Sequence, residues 1–111
     1  MKLRLEENSL RLRLSEAEVQ QFAATGRVAY SIAFGPGPAQ TLLYSLERLP
    51  AASPATAVQV RYEAGALAVE VPDSVARNWT GTENIGFKGL VLVAEGRELR
   101  ILVEKDLDSQ H

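Results

Sequence analysis

The chain has 111 residues, 46% of them apolar, a formal net charge of -2 and no cysteine. That length fits one domain with a core large enough to need no staples, and the apolar share argues against wholesale disorder. Without cysteine there is neither a disulfide nor a thiolate metal site, which fits a reducing compartment, and the near-balanced charge neither demands nor excludes a nucleic-acid partner.

The opening Met1-Lys2-Leu3-Arg4-Leu5-Glu6-Glu7 has no apolar core of signal-peptide length. No apolar stretch approaches the roughly 20 residues needed to span a bilayer, so a cytoplasmic location and no membrane partner are expected. Apolar and polar residues alternate through most of the chain, the period of half-buried strands. Leu3 and Leu5 alternate with Lys2 and Arg4, and Leu10, Leu12 and Leu14 with Arg11 and Arg13, around a turn at Glu7-Asn8-Ser9. Ser15 and Glu18 have the spacing of a capping box and predict a helix to about Thr25, with Val19, Phe22 and Ala23 inward and Gly26 as the left-handed stop. Val28, Tyr30, Ile32 and Phe34 predict a strand, Gly35-Pro36-Gly37-Pro38 a turn, and Leu42, Tyr44 and Leu46 the returning strand. The three tyrosines, Tyr30, Tyr44 and Tyr62, are expected half-buried. Residues 50–56 are the one linker-like stretch.

Val58, Val60 and Tyr62, then Leu67, Val69 and Val71, predict a second hairpin around Ala64-Gly65. Pro72-Asp73-Ser74 opens a short helix carrying Val75 and Trp79. Ile85, Phe87, Val91 and Val93, then Leu99, Ile101 and Val103, predict the last two strands. Adding 57 to a residue number in the first half lands on a like residue in the second: Leu3 on Val60, Phe22 on Trp79, Val28 on Ile85, Leu46 on Val103. The expectation is one domain, 1–111, of α+β class and mostly antiparallel, built from duplicated strand–strand–helix–strand–strand units at about 1–55 and 58–111. Two short helices cannot cover eight strands, so the apolar faces must meet each other as a small barrel or two packed sheets.

The residue inventory removes most chemistry. The one histidine is His111, so soft-ligand metal sites have no ligand pair, and no EF-hand spacing occurs. No serine is flanked like a nucleophile elbow, and the prolines of Gly35-Pro36-Gly37-Pro38 deprive that loop of phosphate-cradling N–H donors. Glu63 and Glu70 are expected to face each other across a hairpin, and an exposed strand pair accounts for them better than acid–base chemistry. Lys2, Arg4, Arg11 and Arg13 share one face of the first hairpin. Such a cluster either binds phosphate or nucleic acid or is a solvated edge that discourages aggregation, and Glu6, Glu7 or Glu104 could offset it.

Lys2-Leu3-Arg4-Leu5-Glu6-Glu7-Asn8-Ser9-Leu10-Arg11-Leu12-Arg13-Leu14 and Leu99-Arg100-Ile101-Leu102-Val103-Glu104-Lys105-Asp106 resemble a small family of uncharacterised bacterial proteins. The resemblance spans nearly the whole chain and implies no assigned activity. Members of that family continue past Glu-Lys-Asp with a cysteine-bearing acidic tail, whereas this chain ends Leu107-Asp108-Ser109-Gln110-His111. Triphosphate tunnel enzymes also use eight strands, but their Glu-x-Glu-x-Lys opening is missing here, and the apolar phase is too continuous to face water.

These observations predict a non-enzymatic domain without cofactor whose partner is a protein, itself included as a homodimer. Two alternatives stand beside it: an anion or nucleic-acid binder using Lys2, Arg4, Arg11 and Arg13, and a small-ligand carrier with a pocket inside the barrel.

Overall fold

A computed structural model describes residues 1–106. Period-2 alternation produces eight strands: β1 (Lys2–Glu6), β2 (Ser9–Leu14), β3 (Arg27–Ala33), β4 (Thr41–Arg48), β5 (Gln59–Glu63), β6 (Ala66–Val71), β7 (Gly86–Ala94) and β8 (Arg97–Lys105). Two helices interrupt them, α1 (Glu16–Thr25) and α2 (Asp73–Gly81).

Local chemistry sets the helix limits. Ser15 Oγ accepts from the Glu18 N–H at 3.2 Å while Glu18 accepts from the Ser15 N–H at 2.8 Å, the reciprocal capping box. Gly26 then ends α1 at φ 77°, its N–H donating to the Phe22 carbonyl, a conformation glycine adopts without a Cβ penalty. The inward stripe of α1 is Val19 and Phe22; Ala23 lies exposed, because it falls on the solvent side of a helix only ten residues long. In α2 the buried pair is Ala76 and Trp79, with Val75 partly buried.

The strands form two four-stranded sheets, sheet A in the order β1-β2-β8-β7 and sheet B in the order β3-β4-β6-β5. The outer pairs are antiparallel hairpins, whereas the central pairs, β2 with β8 and β4 with β6, are parallel. The sheets pack face to face and do not join into a closed barrel. One apolar cluster unites them, with Leu12, Leu14, Val103, Leu46, Val69, Val71, Phe22 and Trp79 at its centre.

Each sheet takes one hairpin from the first half of the chain and one from the second. Adding 57 to both members of the Lys2–Arg13 pair gives Gln59–Glu70, the pair found in β5–β6. Taken forward from Leu10 and backward from Ile101, the same offset carries that parallel pair onto Leu67–Tyr44. It fails in β7, where Phe87 rather than Ile85 sits opposite Val103 as Val28 sits opposite Leu46. The longer connection from Gly81 to Gly86 delays β7 by two residues, leaving Ile85 50% exposed. Its carbonyl instead accepts from the Trp79 indole N–H at 3.0 Å.

Parallel central pairs put all the hairpin turns at one end of the sandwich and both helices at the other. Burial follows that axis. Leu14, Leu46, Val71 and Val103 at the helix end are fully buried, while Leu5, Phe34, Tyr62 and Val93, on the same apolar phases near the turns, are exposed. Tyr62 is therefore not half-buried as its phase predicts: it lies at the uncovered end of β5. Tyr44, one strand inward, is buried. Glu63 and Glu70 do not face each other either. The two-residue turn Ala64-Gly65, with φ 51° and 78°, has the positive angles of a type I′ hairpin and sets the register that pairs Glu70 with Gln59 and Glu63 with Ala66.

Candidate functional site

Alternation that buries Leu10, Leu12, Leu14, Ile101 and Val103 turns the intervening residues outward on sheet A. Strand register arranges them in rows across the sheet. One row reads Arg4, Arg11, Leu102, Lys88 from β1 to β7, and the next reads Glu6, Ser9, Arg100, Leu90. A third reads Lys2, Arg13, Glu104, Gly86. With strands about 4.8 Å apart, each row spans about 14 Å.

The four cations singled out in the first hairpin, Lys2, Arg4, Arg11 and Arg13, line a hollow of about 220 Å³. Carboxylates offset much of their charge. Glu104, across the parallel pairing, lies 2.9 Å from Arg13 and 3.4 Å from Arg11. Asp106 accepts from Lys2 at 3.0 Å, and Glu6 lies 2.7 Å from Arg4. Like charges that would repel across the hairpin are thus interleaved with acids, Glu6 at the end of β1 and Glu104 and Asp106 in and just after β8.

Beside this hollow and sharing Arg4 and Arg11 with it lies a larger open depression of about 560 Å³. Its lining adds Lys88 and Arg100, with Leu90 and Leu102 between the cations and Ser9 and Glu6 at one side. Neither Lys88 nor Arg100 has an ion-pair partner among the described residues. These two cations were missed from sequence because they reach Arg4 and Arg11 only through the parallel β2–β8 pairing. Their outward phase in β7 and β8 was the signal available.

The matching face of sheet B is built differently. Its rows read Arg61, Ala68, Ser45, Ala29 and Glu63, Ala66, Leu43, Ser31. Arg61 lies between Glu47 and Glu70 at 3.5 and 3.4 Å. Small side chains there leave no comparable row of cations.

A different polar cluster sits where β1 meets α1. Glu18 accepts from the Met1 amino group, from the Tyr30 hydroxyl and from the Ser15 N–H, and the Tyr44 hydroxyl donates to the Met1 carbonyl at 3.0 Å. Burial alone would raise the Glu18 pKa. The hydrogen bonds from the amino group, Tyr30 and Ser15, with the amino group's charge, outweigh it and bring the value down to about 2. The same contact raises the Tyr30 hydroxyl above its ordinary range. Every polar member has its partner, so the cluster fastens the chain rather than presenting a reactive group.

Among the described residues no group of three or more His, Cys, Asp or Glu is placed to hold a metal ion, and His111 lies outside the described residues. No described helix is long and apolar enough to cross a membrane.

The model of the family of unknown function DUF7009 matches residues 1–110, and the chain belongs to that family. No curated protein and no solved structure matches it.

Proposed function

We propose that this DUF7009 member is a non-enzymatic interaction domain whose working surface is the outer face of sheet A, where it takes up an anionic partner. The observation that carries this reading is the depression across all four strands, in which Lys88 and Arg100 add cationic charge with no ion-pair partner among the described residues, while Glu6 at its side is paired with Arg4. Cations gathered on a concave surface raise the local positive potential and favour an anionic ligand there. The surface is rigid, since Arg4, Arg11, Lys88 and Arg100 all stand on strands, and a binding constellation on regular elements keeps its geometry.

The test is a polarisation titration with a polyglutamate peptide, single-stranded RNA and polyphosphate at low and moderate salt. Binding at low salt that weakens as salt rises, and that falls in the Lys88→Gln/Arg100→Gln protein, is the expected result. No binding to any of the three at low salt would overturn the reading.

A further inference from the structure

The outer face of sheet A carries more than charge. Leu102 sits between Arg11 and Lys88 in one row, and Leu90 sits beside Arg100 in the next. Leu102 is partly buried at the floor of the depression, while Leu90 is 59% exposed at its side. An aliphatic floor flanked by Arg11, Lys88 and Arg100, with Glu6 and Ser9 at one side, is complementary to a ligand with the reverse pattern, an aliphatic group flanked by negative charges.

Three anionic partners fit that pattern poorly. Single-stranded nucleic acid is held by aromatic side chains on which bases stack, and no aromatic residue stands on this face: Phe87 points inward opposite Val103, and the tyrosines belong to sheet B. Free phosphate wants converging donors around one centre, whereas Arg4, Arg11, Lys88 and Arg100 are spread over the width of four strands. An anionic membrane presents a broad surface that would meet the rim of a concave face and leave Leu102 out of reach. A polypeptide meets both requirements, because its carboxylates and aliphatic side chains project separately at residue spacing.

We infer that the depression docks an acidic segment of another protein, with an aliphatic side chain of that segment over Leu102 and its carboxylates on Arg11, Lys88 and Arg100. This rests on the reading of sheet A as the anion-binding face. Charge brings the segment in and can be screened; the aliphatic contact supplies discrimination that salt does not remove.

The experiment compares a short polyglutamate peptide bearing one central leucine, the same peptide with serine in that place, single-stranded RNA of equal charge, and vesicles containing phosphatidylserine. At moderate salt the leucine peptide should bind several-fold more tightly than the serine peptide and more tightly than RNA or vesicles. Lys88→Gln with Arg100→Gln should weaken the leucine peptide on the order of tenfold, about 1.4 kcal/mol. Leu102→Ser should abolish the difference between the two peptides while both still bind at low salt; an unchanged circular dichroism spectrum and melting profile shows that the fold is intact. Equal affinity for the two peptides, or preference for RNA or vesicles, overturns this inference and leaves the anionic face standing. Failure of every probe at low salt removes both.

Discussion

Phe22 of α1 and Trp79 of α2 meet edge to face, with ring centroids 6.0 Å apart and ring planes inclined at 64°. Each is fully buried, and Trp79 makes a second edge contact with Phe87 at 5.4 Å. This contact joins the two helices at the closed end of the sandwich. Truncating Trp79 to Ala should therefore lower stability by about 3 to 5 kcal/mol, as for other large aromatic-to-alanine changes in cores. Phe22→Ala should fall in the same range. Urea unfolding of both single variants and the double variant should also reveal a coupling of about 0.5 to 1.5 kcal/mol; additive losses would show that the rings merely fill space.

Gly89 faces Ile101 in β7, and a Cβ placed there would lie 2.8 Å from Val58 Cβ. The segment leading into β5 thus lies against β7 only because that position lacks a side chain. Gly89→Ala should destabilise by about 1 to 3 kcal/mol through overpacking. Adding Val58→Ala should recover part of that loss. If the double variant is no better than the sum of its singles, steric contact with Val58 is not the cause.

Glu18 contributes a pH-dependent part of stability with a defined sign. Its folded pKa of about 2 lies below the ordinary 4.5, so its contribution is fully present above about pH 4.5 and is lost as pH falls toward 2. Glu18→Gln should lower stability at neutral pH and flatten the acid limb of the stability curve. Denaturant midpoints measured across that window give the answer, and an acid limb unchanged in Glu18→Gln would assign the dependence to other carboxylates.

Glu104 restrains the cation cluster, because one carboxylate oxygen faces both Arg11 and Arg13. Replacing it with Gln should increase affinity for an anionic peptide and steepen its salt dependence. Stability should drop on the order of 1 kcal/mol, the scale of partly exposed ion pairs. Weaker anion binding in Glu104→Gln would mean that Glu104 positions the arginines for their ligand rather than competing with it.

Apolar residues left uncovered near the turns favour self-association. Phe34 and Tyr62 are 73% and 68% exposed and line one shallow surface near the turns, and an exposed apolar patch commonly marks an interaction site. The expected outcome is a homodimer by light scattering, shifted toward the 12.1 kDa monomer by Phe34→Ser with Tyr62→Ser. A monomer at every concentration would show that this surface serves no second copy.

The legible parts of the fold were those decided between chain neighbours. Ser15 with Glu18, Gly26, and the turn at Ala64-Gly65 carry their geometry in their own side chains or in the lack of one. What could not be read was decided between distant segments. Nothing near Leu10 specifies Ile101 as its parallel neighbour, and nothing near Phe87 announces the delay of two residues that places it opposite Val103. The site divides the same way. Lys2, Arg4, Arg11 and Arg13 lie in one hairpin and could be grouped by phase alone, whereas Lys88, Arg100 and the restraining Glu104 join them through strand order.

The interleaving of the two halves has a consequence for the order in which the chain is made. β1 and β2 are synthesised first, yet β8, the inner neighbour that completes their sheet, is synthesised last. At translation rates of about 5 to 20 residues per second, that hairpin waits on the order of 5 to 20 s for its neighbour. During the wait Leu10, Leu12 and Leu14 lack the inner strand of their own sheet, and charges on the opposite face of such a hairpin disfavour its pairing with copies of itself. Chains stalled just short of β8 should therefore remain open to protease through their first hairpin, and release of the last strand should close it. Protection of that hairpin before β8 emerges would show that the first half acquires its structure unaided.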